Sequence, residues 1–282
     1  MKSLCILGLV LGILALAIIL VLAAGTVYFF HQAVQRSPKA FLDASEDLAV
    51  KRQPSQAFSD QWLMAQRPEE AWIEARDGIR LHAWYLPAPR SSSGQAGAGQ
   101  ARPKAVILAH GYSSEGRYMG GFARFYSEVL GYAVLLPDAR AHGQSGGRYI
   151  GFGWLERLDY LGWISWLEKR TGPGLGIVLH GVSMGGATVM MAAGEALPPS
   201  VKAVVEDCGY TSVEEELSWQ MGRLYHLPAW PLVPLTSALT KVLAGYSFRE
   251  ASALDQVRKA KLPILFIHGE ADEFVPFSMQ FR

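Results

Sequence analysis

Between Ala105 and His268 the chain repeats one pattern: a short apolar run that stops at a Gly, Pro, Asp or His, then a longer stretch with helical periodicity. The runs are Ala105–Ala109, Ala133–Pro137, Gly176–His180, Val201–Glu206 and Ile264–His268, and Tyr118–Leu130, Trp154–Arg170 and Met184–Leu197 read as helices between them. That alternation predicts an α/β fold, a mostly parallel, doubly wound sheet with helices on both faces. Ligands of such a sheet sit beyond the carboxyl ends of its strands, so those ends are where chemistry is to be sought. Upstream, Trp72 to Leu86 alternates apolar and polar residues around Asp77-Gly78, the pattern of an opening hairpin. With 282 residues, 50% of them hydrophobic, the chain can bury the core of one large domain.

The strongest chemical signal lies where the Gly176–His180 run ends, in Gly181-Val182-Ser183-Met184-Gly185-Gly186, directly before a helix rich in Ala and Met. A serine on a tight strand-to-helix turn needs small neighbours, which Gly181 and Gly185 supply, and its hydroxyl then projects into the site as a candidate nucleophile. The helix that follows aims its first N–H groups at developing negative charge, making the N–H of Met184 a candidate oxyanion donor. A glycine-rich turn with an incidental serine is the plainer alternative. A second donor is expected from the loop after the first parallel strand, Val106-Ile-Leu-Ala-His110-Gly111-Tyr112, where Gly111 lets the chain turn closely and leaves the N–H of Tyr112 facing Met184. His110 is read as orienting this loop rather than as a base.

A third strand end carries Leu136-Pro137-Asp138-Ala139-Arg140-Ala141-His142-Gly143-Gln144-Ser145-Gly146-Gly147, whose Asp138 and Arg140 suit a hydrogen-bonded loop. With this segment and the serine turn in that order, the chain from about Trp72 to its last residue resembles the α/β-hydrolase superfamily, particularly its serine-aminopeptidase-like and prolyl-oligopeptidase-like branch. The resemblance implies the α/β-hydrolase fold with a small helical cap. It also implies hydrolysis of an ester, thioester or amide bond through an acyl-enzyme, with no cofactor and no metal. In that family a carboxylate on a late strand orients the base. Asp272, in His268-Gly269-Glu270-Ala271-Asp272-Glu273-Phe274-Val275-Pro276, fits the acid motif, and Asp207, after Glu206, is the alternative acid. Glu206, Glu270 and Glu273 read as loop or solvent-facing carboxylates and His268 as a structural residue.

One departure from the family stands out. Its triads run serine, acid, histidine, yet the ten residues after Asp272 contain no histidine. The expectation is a chain cut short of its base; loss of turnover, leaving a membrane-tethered binding or scaffold protein, is the alternative. Recruitment of His110, His142 or His268 as the base is a third reading. The segment Thr211–Lys261, with Trp219, Tyr225, Trp230 and three prolines, is either a cap over the pocket or a helix pair packed on the sheet.

The amino terminus differs in kind. Leu4 to Phe30 contains no charged residue, and 27 helical residues extend roughly 40 Å, enough to span a bilayer with some tilt. A cleaved signal peptide is the rival, although its apolar core is ordinarily about 7 to 15 residues. The organisation expected is a membrane anchor over residues 1–35, a connector over 36–71 with some helix packed on the domain, and the hydrolase domain over 72–282 with a cap-like segment over 211–261. Arg90 to Lys104 reads as a flexible surface loop. Lys2 and the amino terminus favour an inside amino terminus while Arg36 and Lys39 flank the other end; the orientation expected is a single-pass cell-membrane protein with its catalytic domain outside the cytoplasm. Lys plus Arg total 26 against 25 Asp plus Glu, so no long-range field selects nucleic acid. The partners expected are a small-molecule or peptide acyl substrate and the lipid bilayer. Cys5 and Cys208 do not suggest a disulfide framework.

Overall fold

A computed structural model describes residues 2–39, 54–89 and 102–281. The stretch 90–101, most of the surface loop expected between Arg90 and Lys104, lies outside them. A long helix, α1 (Lys2–Ala33), leads into a second, α2 (Pro54–Ala65), which buries Leu63 against the sheet. A hairpin follows, β1 (Glu69–Glu74) and β2 (Arg80–Leu86), turning through Gly78 at φ 80°. The remaining strands are β3 (Lys104–Ala109), β4 (Ala133–Pro137), β5 (Gly176–Val182), β6 (Val201–Asp207) and β7 (Ile264–Ile267).

The sheet runs in the order β1-β2-β4-β3-β5-β6-β7. Strands β1 and β2 pair antiparallel, as do β2 and β4, and every pairing from β4 through β7 is parallel. Side chains alternate between its faces with the two-residue period of a strand. Ala105 and Ile107 of β3 and Leu135 of β4 join Trp163, Ile164 and Leu167 of α4 (Glu156–Thr171) on one face. Val106, Leu108, Val134 and Leu136 join Leu63, Met119 and Tyr126 on the other.

Helices differ from expectation in two places. Tyr118–Leu130 is not one helix but a 3-10 turn (Gly116–Met119), a short α3 (Gly120–Arg124) and a π turn (Phe125–Val129). The segment crosses α2 closely at its centre: Gly120, where the 3-10 turn gives way to α3, lies so close to the backbone of Ser59 that a Cβ would collide with it. Met184–Leu197 stops sooner, as α5 (Met184–Ala193), because Gly194 is pressed against Gln256. Between Thr211 and Lys261 lie α6 (Val213–Tyr225), α7 (Leu232–Ala244) and α8 (Ala253–Val257).

Strand β7 is the sheet edge. Leu265, Phe266 and Ile267 are all substantially exposed, so both faces of the strand are uncovered. At the other extreme of the chain, Cys5–Ala33 is long and apolar enough to cross a membrane, with mean hydropathy 3.2. Residues 5–21 of this helix make no burying contact, whereas Thr26, Phe30 and Val34 are buried; Phe30 and Val34 enter the same apolar cluster as Met184 and Phe152.

Candidate active site

Ser183 links β5 to α5 with φ 56° and ψ −118°. A residue with a side chain is strained in this region, and such strain persists only where surrounding structure enforces it. Here the enforcement is visible. A Cβ on Gly181 would collide with the Gly185 carbonyl, and one on Gly185 with the carbonyl oxygens of Ala109 and His110, so strand, turn and helix approach more closely than other residues allow. The Ser183 N–H donates to the Asp207 carbonyl at 2.8 Å, and the Ser183 carbonyl accepts from Ala187 at 3.0 Å. Its hydroxyl thereby stands at the amino end of α5, where unpaired N–H groups favour negative charge.

The loop after β3 passes directly above it. Gly111 faces Ser183, and a Cβ there would lie 3.5 Å from Ser183 Cβ and 3.9 Å from Oγ. Tyr112 follows: its ring stacks on Phe152 at 5.3 Å between centroids, and its hydroxyl donates to the carbonyls of Ala33 at 2.9 Å and Gln32 at 3.3 Å. The backbone N–H groups of Tyr112 and Met184 thus belong to two segments that converge on Ser183.

His110 and His142 hold this loop. His110 Nε2 accepts from the Ala139 N–H at 2.9 Å, which leaves Nδ1 as the protonated nitrogen, donating to the Gly111 carbonyl at 2.8 Å. His142 Nε2 accepts from Ser113 at 3.3 Å while Nδ1 donates to the Arg140 carbonyl at 3.0 Å. Burial lowers the pKa of both, that of His142 to about 3 with help from His110, so both rings are neutral. His268 Nε2 donates to the Val275 carbonyl at 2.8 Å, and its Nδ1 is buried without a partner. No hydrogen bond joins the Ser183 hydroxyl to any described histidine. His110, His142 and His268 are therefore not brought onto the nucleophile.

Asp138 and Arg140, expected to share a loop, have separate partners. Asp138 accepts from His82 Nδ1 and from the N–H groups of Gly116 and Gln144; burial pushes its pKa up, but these donors outweigh it and hold the carboxyl below its ordinary value. Arg140 is buried in a two-pronged contact with Asp159, at 2.6 and 2.9 Å, and reaches Asp77 at 2.7 Å. Both residues are architectural.

The two candidate acids stand on adjacent strand ends. Asp272 Oδ1 accepts the N–H groups of Phe274 and Val275 at 2.9 and 3.0 Å, which fixes the turn, while Oδ2 lies 3.9 Å from His268 Nε2. Asp207 is raised by burial, opposed by His268 and the Cys208 thiol and reinforced by Asp272, so the two carboxylates feel one another. Cys208 itself is pushed up to about 12, first by burial and then by Asp207, and is no thiolate at neutral pH. Glu206 is not solvent-facing: it accepts from the Gly209 N–H at 2.8 Å inside the loop, and burial raises it to about 7. Glu270 and Glu273 are exposed. Among the described residues no cluster of His, Cys, Asp and Glu could hold a metal ion.

Ser183 opens into a narrow apolar cleft that is partly open to solvent. Tyr112, Phe152 and Met184 form its floor, Leu217, Leu224 and Tyr225 of α6 with Val233 of α7 its roof, and Phe29, Gln32 and Ala33 of α1 one wall. The segment after Thr211 thus lies over the pocket. Two polar groups interrupt the roof. Glu216 Oε1 accepts from Gln220 Nε2 at 2.8 Å, while Glu216 Oε2 and Gln220 Oε1 are buried without partners; burial raises the Glu216 carboxyl to about 8, so it is protonated at neutral pH. Sequence reasoning missed Glu216, Gln220 and the α1 wall. A carboxylate on an amphipathic helix and a phenylalanine at the end of an apolar run carry no local mark of a pocket.

A family model described as the alpha/beta hydrolase fold matches residues 104–232. Over 176 residues the chain is 33% identical to the uncharacterized protein YqkD of Bacillus subtilis, a match covering 62% of this chain and 57% of that protein. Over 212 residues it is 24% identical to the alpha/beta hydrolase domain-containing protein WAV2 of Arabidopsis thaliana, covering 74% of this chain and 63% of that one. The chain therefore spans less than two thirds of the length of these curated relatives. Among solved structures it resembles an esterase of Pyrococcus furiosus, with TM-score 0.57 and 25% identity over 76% of this chain and 75% of that one. An acylaminoacyl peptidase of Pyrococcus horikoshii shares the fold, with TM-score 0.51 and 18% identity over 76% of this chain and 34% of the other.

Proposed function

From the premise that the chain has the α/β-hydrolase fold, we propose that it is a serine hydrolase cleaving an ester, thioester or amide bond through an acyl-enzyme on Ser183. One observation carries the reading: Ser183 is held in a strained backbone conformation at the mouth of an apolar cleft and at the amino end of α5. Strain enforced by close-packed glycines at a pocket has a function to serve.

In this reaction Ser183 Oγ attacks the substrate carbonyl carbon, and the N–H groups of Tyr112 and Met184 receive the oxyanion. Asp272 orients the imidazole that takes the serine proton, its Oδ2 remaining available while Oδ1 holds the turn; Asp207 is the alternative acid. The described residues bring no imidazole onto Ser183: the ring nitrogens of His110 and His142 are committed to the loop over the site, and no described histidine bonds the Ser183 hydroxyl. Substrates are small acyl compounds or peptides, and no cofactor or metal enters the scheme. The same commitment of histidines favours a second reading, a membrane-tethered hydrolase fold that binds without turnover.

The α1 helix is the anchor of a single-pass cell-membrane protein, with the catalytic domain outside the cytoplasm. Burial of Phe30 and Val34 in the domain supports a retained helix over a cleaved leader. A fluorophosphonate probe applied to the full-length protein in membranes tests the enzyme reading: wild type is labelled and Ser183→Ala is not. Equal labelling of both discards Ser183, and no labelling of either selects the binding reading. Protease added to sealed cells digests the domain if it faces outward.

A further inference from the structure

The helix that is long enough to cross a membrane is also a wall of the pocket. Phe29, Gln32 and Ala33, in the last two turns of α1, line the same cleft as Ser183. A bilayer core needs about 20 helical residues; residues 5–21 are exposed throughout, and beyond them one face, with Leu22, Gly25, Thr26 and Phe29, begins to be covered while Val27 and Tyr28 on the other remain exposed. The next turn, from Leu22, already meets the cap, with Gly25 packed against Leu232 of α7. If the core is to be spanned, this contact falls at the bilayer boundary, and the cap with it. The cap surface agrees with that depth: Trp230 is 77% exposed and Val242 79%, and Leu235 and Leu243 are partly exposed. Such a surface is unfavourable in water and suited to an interface, where a tryptophan is at home.

We propose that the cleft takes the acyl chain of a membrane lipid ester, which enters from the bilayer between α1 and the cap. This rests on the serine-hydrolase reading for its chemistry and on the α1 wall for its substrate. The chain lies along Phe29 and Ala33 opposite Val233, and the ester carbonyl stops at Ser183. The Ser183 Oγ–acyl bond forms as the ester C–O bond breaks; the serine proton passes through the base to the departing alcohol. Water then releases the fatty acid and regenerates the serine, so one ester and one water give one acid and one alcohol. A water-soluble substrate would gain nothing from a pocket wall made by the membrane anchor, whereas a lipid need never leave the hydrocarbon phase.

The test uses the full-length protein in phosphatidylcholine vesicles containing a hexadecyl glycerol ether with a diazirine at the chain end, which cannot be hydrolysed. Photolysis is expected to label Phe29, Leu217, Leu224 or Val233, and Ala33→Trp, which fills the cleft, to reduce that labelling by about tenfold. Ala33→Leu, a milder filling, lowers it by a smaller factor and guards against misfolding. Labels confined to residues 5–21 in wild type, or cleft labels unaffected by both variants, overturn the proposal. In parallel, hydrolysis of a long-chain monoacylglycerol in the vesicles is compared with that of a soluble S-acylated peptide. Faster cleavage of the glycerol ester supports a lipid substrate, and faster cleavage of the peptide overturns it. Ser183→Ala separates the two layers: persisting hydrolysis removes the serine mechanism, while the labelling pattern still decides whether the cleft holds a lipid chain.

Discussion

The Tyr112 hydroxyl donates to the Ala33 carbonyl at 2.9 Å, tying the loop above Ser183 to the last turn of α1. The carbonyls at a helix end lack intrahelical donors, and this one is satisfied from the domain. Gln32 shares the phenol, and Lys39 Nζ donates to the Gln32 and Gln35 carbonyls at 2.7 Å, so the junction between α1 and the domain is a small polar knot beside the pocket.

Tyr112→Phe tests this tie. The substitution keeps the ring on Phe152 but leaves the Ala33 carbonyl without its donor, at an expected cost of about 1–2 kcal/mol. If α1 positions the loop, kcat for ester hydrolysis falls by roughly tenfold with little change in KM. Thermal unfolding and steady-state kinetics on the full-length protein measure the two effects, and an unchanged kcat would show that the tie only stabilises.

At Ser183 stability and function are opposed. Ser183→Gly places a residue that tolerates positive φ where a strained one stood, and stability is expected to rise by about 1 kcal/mol while fluorophosphonate labelling disappears. Denaturant unfolding decides this. A destabilised glycine variant would mean that the turn is not strained in solution.

Glu216 sets a pH dependence. Its carboxyl is raised by burial to about 8 from 4.5, so between those values the unfolded chain has released a proton that the folded chain keeps. By linkage, stability is full below the unfolded pKa and is lost as pH rises towards 8, with a slope of at most about 1.4 kcal/mol per pH unit from this group. Glu206, raised to about 7, acts in the same direction. Melting curves from pH 5 to pH 8.5 should slope downward in wild type and less steeply in Glu216→Gln. Parallel curves for the two would assign the slope elsewhere.

In a protein ending at residue 282 the β7 edge is expected to drive self-association, because among the described residues nothing pairs with the outer side of this strand and Leu265, Phe266 and Ile267 are exposed. Phe266→Lys introduces a charge on that edge and is expected to shift the protein in detergent towards monomer at equal concentration. Sedimentation velocity reads the change, and an unaltered distribution would mean that the edge is covered.

Strand positions, the serine turn and the long apolar helix were legible in the amino-acid sequence because each is a local pattern. Period-two alternation, a glycine on either side of Ser183 and 27 uncharged residues in a row act through neighbours along the chain. What the sequence left open are relationships between distant segments. Neither the break in Tyr118–Leu130 nor the approach of Gly111 to Ser183 can be read without knowing what crosses there. The histidines show the limit most clearly, since His110 and His142 have the residue type of a base. Only tertiary hydrogen bonds to Ala139 and Ser113 commit their ring nitrogens. The joining of the long apolar helix and the pocket was likewise a tertiary decision. Phe29 and Ala33 become lining residues because α7 and the Tyr112 loop pack against the end of α1, and burial of that helix face depends on surfaces some 80 to 200 residues away.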